Sequence, residues 1–112
     1  MKFNTKVIHG NQHHDPSTGA VMPPVYQTST FVQTSPGVPL AEYEYSRAAN
    51  PTRTALEQAL ASIENGVRGL AFASGLAATD SVMKLLKPGD EVIAMDDLYG
   101  GTYRMFARIY QE

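Results

Sequence analysis

The chain contains no cysteine, which excludes disulfides, thiolate metal sites and a cysteine nucleophile within these residues. That absence suits a cytoplasmic protein, because reducing compartments make little use of disulfides. No long apolar run follows Met1-Lys2-Phe3-Asn4-Thr5, so neither a signal peptide nor a membrane span is expected. An excess of one charge is lacking too. The formal net charge of -2 gives no broad electrostatic reason to bind nucleic acid or an anionic membrane. Internal repeats and low-complexity tracts are absent. What is present is a hydrophobic fraction of 43% over 112 residues, a globular composition for one small domain or a piece of a larger one.

Residues 1 to about 50 differ from the rest. Pro16, Pro23, Pro24, Pro36 and Pro39 interrupt the candidate helices, since proline lacks the amide donor and clashes with the preceding turn. Val25 to Val32 is rich in threonine and β-branched residues and reads as extended chain. Val21, Met22, Val25, Tyr26, Phe31 and Val32 make the segment too apolar for a disordered tail. An arm laid on another surface is expected.

After Asn50 the pattern becomes regular. Asn50-Pro51-Thr52 combines a capping side chain with a proline suited to the first helical turn. Leu56, Ala59, Leu60 and Ile63 follow helical spacing, and Gly66 supplies a stop. Arg68 to Ala73 reads as a short buried strand, Leu76 to Leu86 as a second helix, and Lys87-Pro88-Gly89-Asp90 as its terminator. Glu91 to Met95 reads as a second strand and Thr102 to Tyr110 as a third helix. Met83, Met95 and Met105 are expected as core filler. This order predicts an α/β fold with a parallel sheet. Two strands cannot sustain such a sheet, so the domain is expected to continue past Glu112.

Three places could carry chemistry. At Phe72-Ala73-Ser74-Gly75-Leu76-Ala77-Ala78 a strand meets a helix, whose first amides lack partners and carry partial positive charge. Gly75 lets a ligand approach the backbone, which makes an anion site; a plain capped turn is the simpler alternative. The Gly-x-x-x-x-Gly-Lys-[ST] pattern of triphosphate loops is absent. At Glu42-Tyr43-Glu44-Tyr45-Ser46-Arg47, residues two apart in extended chain point the same way, so Tyr45 and Arg47 project together. A guanidinium fork beside a phenol suits a phosphate; the simpler alternative is an exposed Arg47 paired with Glu42 or Glu44. At Asp96-Asp97-Leu98-Tyr99-Gly100-Gly101-Thr102, an aromatic and two glycines follow a strand end, where ligands of open α/β sheets gather. The two aspartates more simply cap the next helix than bind a metal, for which no third ligand is near. His9, His13 and His14 with Asp15 sit in a Gly- and Pro-containing arm and read as solvated loop residues. No metal site is expected.

Together these blocks resemble the Cys/Met-metabolism family of pyridoxal-phosphate enzymes, the cystathionine γ-lyase and γ-synthase group. Its markers are Tyr45-Ser46-Arg47, Asn50-Pro51-Thr52-Arg53, Phe72-Ala73-Ser74-Gly75-Leu76-Ala77-Ala78 and Met95-Asp96-Asp97-Leu98-Tyr99-Gly100-Gly101-Thr102. Four blocks in order make a specific signal and span nearly the whole chain. The resemblance implies an arm, residues 1–52, that reaches a neighbouring subunit. It also implies that 53–112 open the large cofactor-binding domain of a fold type I transferase, a mixed, mostly parallel sheet flanked by helices. The cofactor implied is pyridoxal 5'-phosphate. Gly75 and Leu76 would hold its phosphate through their amides, Tyr45 and Arg47 would reach the same group in the neighbouring subunit's site, and Tyr99 would stack on the ring and assist proton transfer. Arg104 matches a position near the substrate pocket. The assembly implied is a homotetramer of dimers with shared sites.

The activity implied is a carbon–sulfur lyase of trans-sulfuration acting on cystathionine or a related small amino acid. γ-Elimination ranks first, ahead of cystathionine γ-synthase, O-acylhomoserine sulfhydrylase and cystathionine β-lyase. Gly101 stands where methionine γ-lyases carry cysteine, which argues against that activity. Ala49 replaces a glycine common before the Asn-Pro step and alters no proposed contact. The cofactor-anchoring lysine and the aspartate facing the ring nitrogen are expected beyond residue 112, and Lys84 and Lys87 match neither motif. A dinucleotide binder lacks its Gly-x-Gly-x-x-Gly turn here. A non-catalytic interaction module, with the arm as its binding element, is the reading from another class.

Overall fold

Prolines and caps divide the chain into short elements. The computed structural model describes residues 1–111. It shows helix α1 (Phe3–His9), strands β1 (Gln33–Ser35) and β2 (Val38–Pro39), and helices α2 (Pro51–Ile63), α3 (Gly75–Met83) and α4 (Gly100–Arg108). These gather into two units, residues 1–71 and residues 72 onward.

In the first unit α2 starts as its residues dictate. The Asn50 side chain accepts from the Thr52 amide at 2.9 Å, and Pro51 occupies the first helical turn. The helix ends at Ile63 with Glu64 at its C-cap, and the positive φ of 54° that reverses the chain falls on Asn65, one residue before the expected Gly66. An amide already turned toward the helix then lets Gly66 donate to the Ala61 carbonyl at 2.8 Å. Of the expected apolar face only Ala59 is buried; Leu56 and Leu60 are exposed.

Helix α1 was not expected in a proline-broken arm. The first proline comes at position 16, so nothing breaks 3–9. Seven residues without a side-chain cap are too few to hold a helix by propensity alone, and α1 relies on α2. Lys6 donates to the Ser62 carbonyl at 3.3 Å and to Asn65 Oδ1 at 3.0 Å. The rest of the arm is extended, as its composition predicts, but it pairs with itself. β1 and β2 form an antiparallel hairpin, and Thr30 bridges Tyr45, with Phe31 donating to the Glu44 carbonyl and Ser46 to that of Ser29. The Phe31 and Tyr43 rings lie 5.6 Å apart.

In the second unit α3 is capped by Ser74, whose hydroxyl accepts from Ala77 at 3.1 Å. It ends at Met83 rather than Leu86, its last turn tightening through bonds from Leu85 to Val82 and from Leu86 to Met83. Asp80 ties α3 to the end of α4. It accepts from Tyr110 Oη at 2.5 Å and from Lys84 Nζ at 2.6 Å.

The expected strands at 68–73 and 91–95 do not form ladders, and the only sheet among the described residues is the β1–β2 hairpin. A strand exists by pairing its amides with a neighbouring edge, and neither segment has one. Their side chains are correspondingly bare, with Ile93 100% and Leu70 63% exposed. The parallel sheet expected from the element order is therefore absent among the described residues. Met105 is buried as expected, but Met95 is 77% exposed because its segment lacks that neighbour.

Asn50 does more than cap, since its Nδ2 also donates to the Tyr26 carbonyl and to Ser46 Oγ. Asn50→Ala should lower the unfolding free energy of the complete protein by about 2 kcal/mol, the upper range for a lost cap. Asn50→Asp, which keeps the capping oxygen, should cost less; urea unfolding of both variants checks the order.

Candidate cofactor-binding site

Tyr45 and Arg47 share one turn. The Tyr45 carbonyl accepts from Ala48 at 2.9 Å and from Ala49 at 3.0 Å, which folds 45–49 tightly. The Arg47 guanidinium then lies 4.7 Å over the Tyr45 ring centroid, in cation–π geometry. The two side chains come together as expected, although through a turn rather than along a strand. Arg47 forms no ion pair with Glu42 or Glu44. Instead Glu44 meets Gln33 at 3.4 Å, and Arg47 stays exposed with no ion-pair partner among the described residues.

That turn is fastened from α2. Arg53 donates Nη1 to the Ser46 carbonyl at 3.2 Å and Nη2 to the Ala48 carbonyl at 2.5 Å. It also lies 3.7 Å from Glu57 Oε1, one helical turn on. Arg53 and Ser46 stand in two of the motif blocks, but residue type does not mark the carbonyls that Arg53 holds. The Arg–Glu spacing of four on a helix is the one signal that points to the pair.

The start of α3 offers free donors. The Ser74 hydroxyl and carbonyl take the amides of Ala77 and Ala78, whereas those of Gly75 and Leu76 have no acceptor among the described residues. A Cβ at Gly75 would meet nothing within 4 Å. Unbonded amides at the positive end of a helix, beside a glycine with open space around it, fit an anionic ligand.

Leu76 and Arg104 line one groove of about 660 Å³ with Ser74, Ala77, Asp80 and Arg108. Arg104 is exposed and has no ion-pair partner among the described residues. Tyr99 stands at the start of α4, 75% exposed, outside that lining. Its ring lies against Gly101, where an added Cβ would come 2.5 Å from Cε1. The Asp96-Asp97 pair does not cap α4 as expected. Tyr99 holds the capping position without a side-chain bond, because Leu98 separates it from the aspartates.

Lys84 is unsuited to attack a carbonyl. The hydrogen bond to Asp80 pushes its pKa up, which keeps the amine protonated when a nucleophile must be free. The same contact, with help from Tyr110, lowers the Asp80 pKa. No cluster of metal-ligating side chains occurs among the described residues. Asp15 is occupied otherwise: its carboxylate accepts from the hydroxyls and amides of Ser17 and Thr18.

The chain belongs to the Cys/Met metabolism PLP-dependent enzyme family, whose model matches residues 4–112. Pyridoxal phosphate is the cofactor of that family, and the free amides at Gly75 and Leu76 suit its phosphate. A cystathionine β-lyase of Coxiella burnetii is 56% identical over 107 residues, covering 96% of this chain and 27% of that protein. A cystathionine γ-lyase of Dictyostelium discoideum is 53% identical over 108 residues, covering 96% and 28%. The crystal structure of cystathionine γ-lyase from Lactobacillus plantarum complexed with L-serine superposes with a TM-score of 0.83 at 47% identity, covering 99% of this chain and 29% of that one. The chain thus spans under a third of the length of each of these three relatives.

Hydrogen bonds from the Ser17 hydroxyl, then from Thr18, hold the Asp15 pKa down at about 2, below the usual 3.8. A depressed carboxyl stabilises its loop above the unfolded value, and that contribution disappears as pH falls through the folded one. A carboxyl NMR titration should place the Asp15 midpoint near 2, and Ser17→Ala should move it back upward.

Proposed function

We propose that the complete protein is a pyridoxal-phosphate carbon–sulfur lyase of trans-sulfuration, which cleaves cystathionine by γ-elimination in the cytoplasm. The observation that supports the cofactor reading is a pair of unpaired donors: the Gly75 and Leu76 amides, and the Arg47 guanidinium stacked on Tyr45 without a carboxylate partner among the described residues. Backbone amides orient a phosphate with no side-chain entropy to lose, and a guanidinium fork adds charge and direction. Tyr45 and Arg47 act in the site of a neighbouring subunit, within a homotetramer built from dimers.

When bound, the cofactor supplies an electron sink for the bond broken next to the substrate's amine. The residues here bind and orient. Gly75 and Leu76 fix the phosphate, Tyr99 presents its ring to the pyridine face and its hydroxyl to a moving proton, and Arg104 receives a substrate carboxylate. Arg104 fits that role because its charge is free in the groove that Leu76 also lines.

β-Elimination is the second reading, favoured by the 56% identity to a cystathionine β-lyase. The products separate the two: with uptake of water, γ-elimination of cystathionine leaves cysteine, 2-oxobutanoate and ammonia, and β-elimination leaves homocysteine, pyruvate and ammonia. A γ-synthase or sulfhydrylase would instead form a thioether or thiol product from an O-acylhomoserine. The purified complete protein should be yellow and lose its visible band on borohydride reduction; a preparation that stays colourless with added pyridoxal phosphate would favour a non-catalytic module.

Subunit sharing has its own test. Arg47→Ala and Gly75→Glu subunits should each bind the cofactor poorly as homo-oligomers. Mixed and reassembled, each hybrid dimer should regain one competent site, because the intact Arg47 and the intact Gly75 meet there. Equilibrium dialysis reads the recovery; none in any hybrid would place Arg47 in its own subunit's site or in none.

A further inference from the structure

The turn that carries Arg47 and the stretch 69–71 are both fastened to one ion pair on α2. Arg53 grips the carbonyls on either side of Arg47, those of Ser46 and Ala48, at 3.2 and 2.5 Å. Two carbonyls can be held at once because the guanidinium presents separate donors in a rigid fork, where a lysine ammonium is a single point charge. Glu57 Oε1 lies 3.7 Å from Arg53 Nε and also accepts the Ala71 amide at 2.9 Å. A second contact holds the same stretch: a Cβ at Gly69 would fall 2.4 Å from the Glu57 carbonyl, so 69–71 presses directly on the α2 backbone. Arg53 and Glu57 are both partly buried, which strengthens these bonds relative to water.

We infer that Arg53 and Glu57 are positioning residues for cofactor binding: Arg53 sets the turn that presents Tyr45 and Arg47, and Glu57 steadies Arg53 while accepting the Ala71 amide. The inference rests on the proposed phosphate role of Tyr45 and Arg47, and it adds residues that touch no cofactor themselves. Its signature is dependence. If Arg53 acts through the turn, its loss matters only while Tyr45 and Arg47 are there to be positioned.

The experiment is a double-mutant cycle in the complete protein, read as the Kd of pyridoxal phosphate by equilibrium dialysis and as the visible circular dichroism of the bound cofactor. Arg53→Lys keeps the charge and loses the fork. It should raise Kd about tenfold, the scale of one charge-assisted hydrogen bond, and weaken the dichroic band. In a Tyr45→Phe/Arg47→Ala background the same change should leave Kd within about twofold, inside the error of additivity. Glu57→Gln still accepts from Ala71 but loses the charge facing Arg53, and should raise Kd by a smaller factor. It decides the matter alone if Arg53→Lys does not fold. An unchanged Kd in both single variants, or an equal effect in both backgrounds, overturns the inference and leaves the Arg47 reading standing. A Tyr45→Phe/Arg47→Ala protein that binds the cofactor normally overturns that reading as well.

Discussion

The first unit depends on the hydrogen-bonded knot at the start of α2. Asn50 caps the helix with its oxygen and ties Tyr26 and Ser46 with its nitrogen. Thr52 accepts from the Tyr26 amide at 2.8 Å, and Arg53 holds the carbonyls of the following turn. Few apolar side chains are buried in this unit, so polar contacts decide where the arm runs. Each is modest by itself. Acting on neighbouring residues they restrict the same backbone, and the restriction is what places Tyr45 beneath Arg47.

How much of this could be read from residues alone follows from the range of the forces involved. Local signals were legible. Asn50 and Ser74 cap as their side chains dictate, α2 begins at Pro51, and Tyr45 lies with Arg47. Signals that need a distant partner were not. Helix α1 forms because Lys6 finds Ser62 and Asn65, contacts that no window of local sequence contains. The stretches 68–73 and 91–95 have the composition of strands, yet composition cannot provide the edge on which a ladder is built. Asp96 and Asp97 look like caps, but the helix begins after Tyr99.

The site shows the same division. The free amides of Gly75 and Leu76 follow from helix geometry, and the family blocks name the residues around them. The fastening of the Arg47 turn by Arg53 is visible only in the structure, since its partners are carbonyls, which leave no trace in residue type. Gly101 illustrates another such case: it is a small residue in a glycine pair, and only the structure shows a tyrosine ring against it.

The bare segments at 68–73 and 91–95 bear on handling. Apart from the Ala71 amide that Glu57 holds, neither has its backbone paired in a ladder, and side chains such as Leu70, Phe72 and Ile93 are uncovered. Such strips are templates for intermolecular β-pairing. A preparation of these residues alone should therefore be stickiest along those two stretches, and charged substitutions at Leu70 or Ile93 would be the way to keep it dispersed.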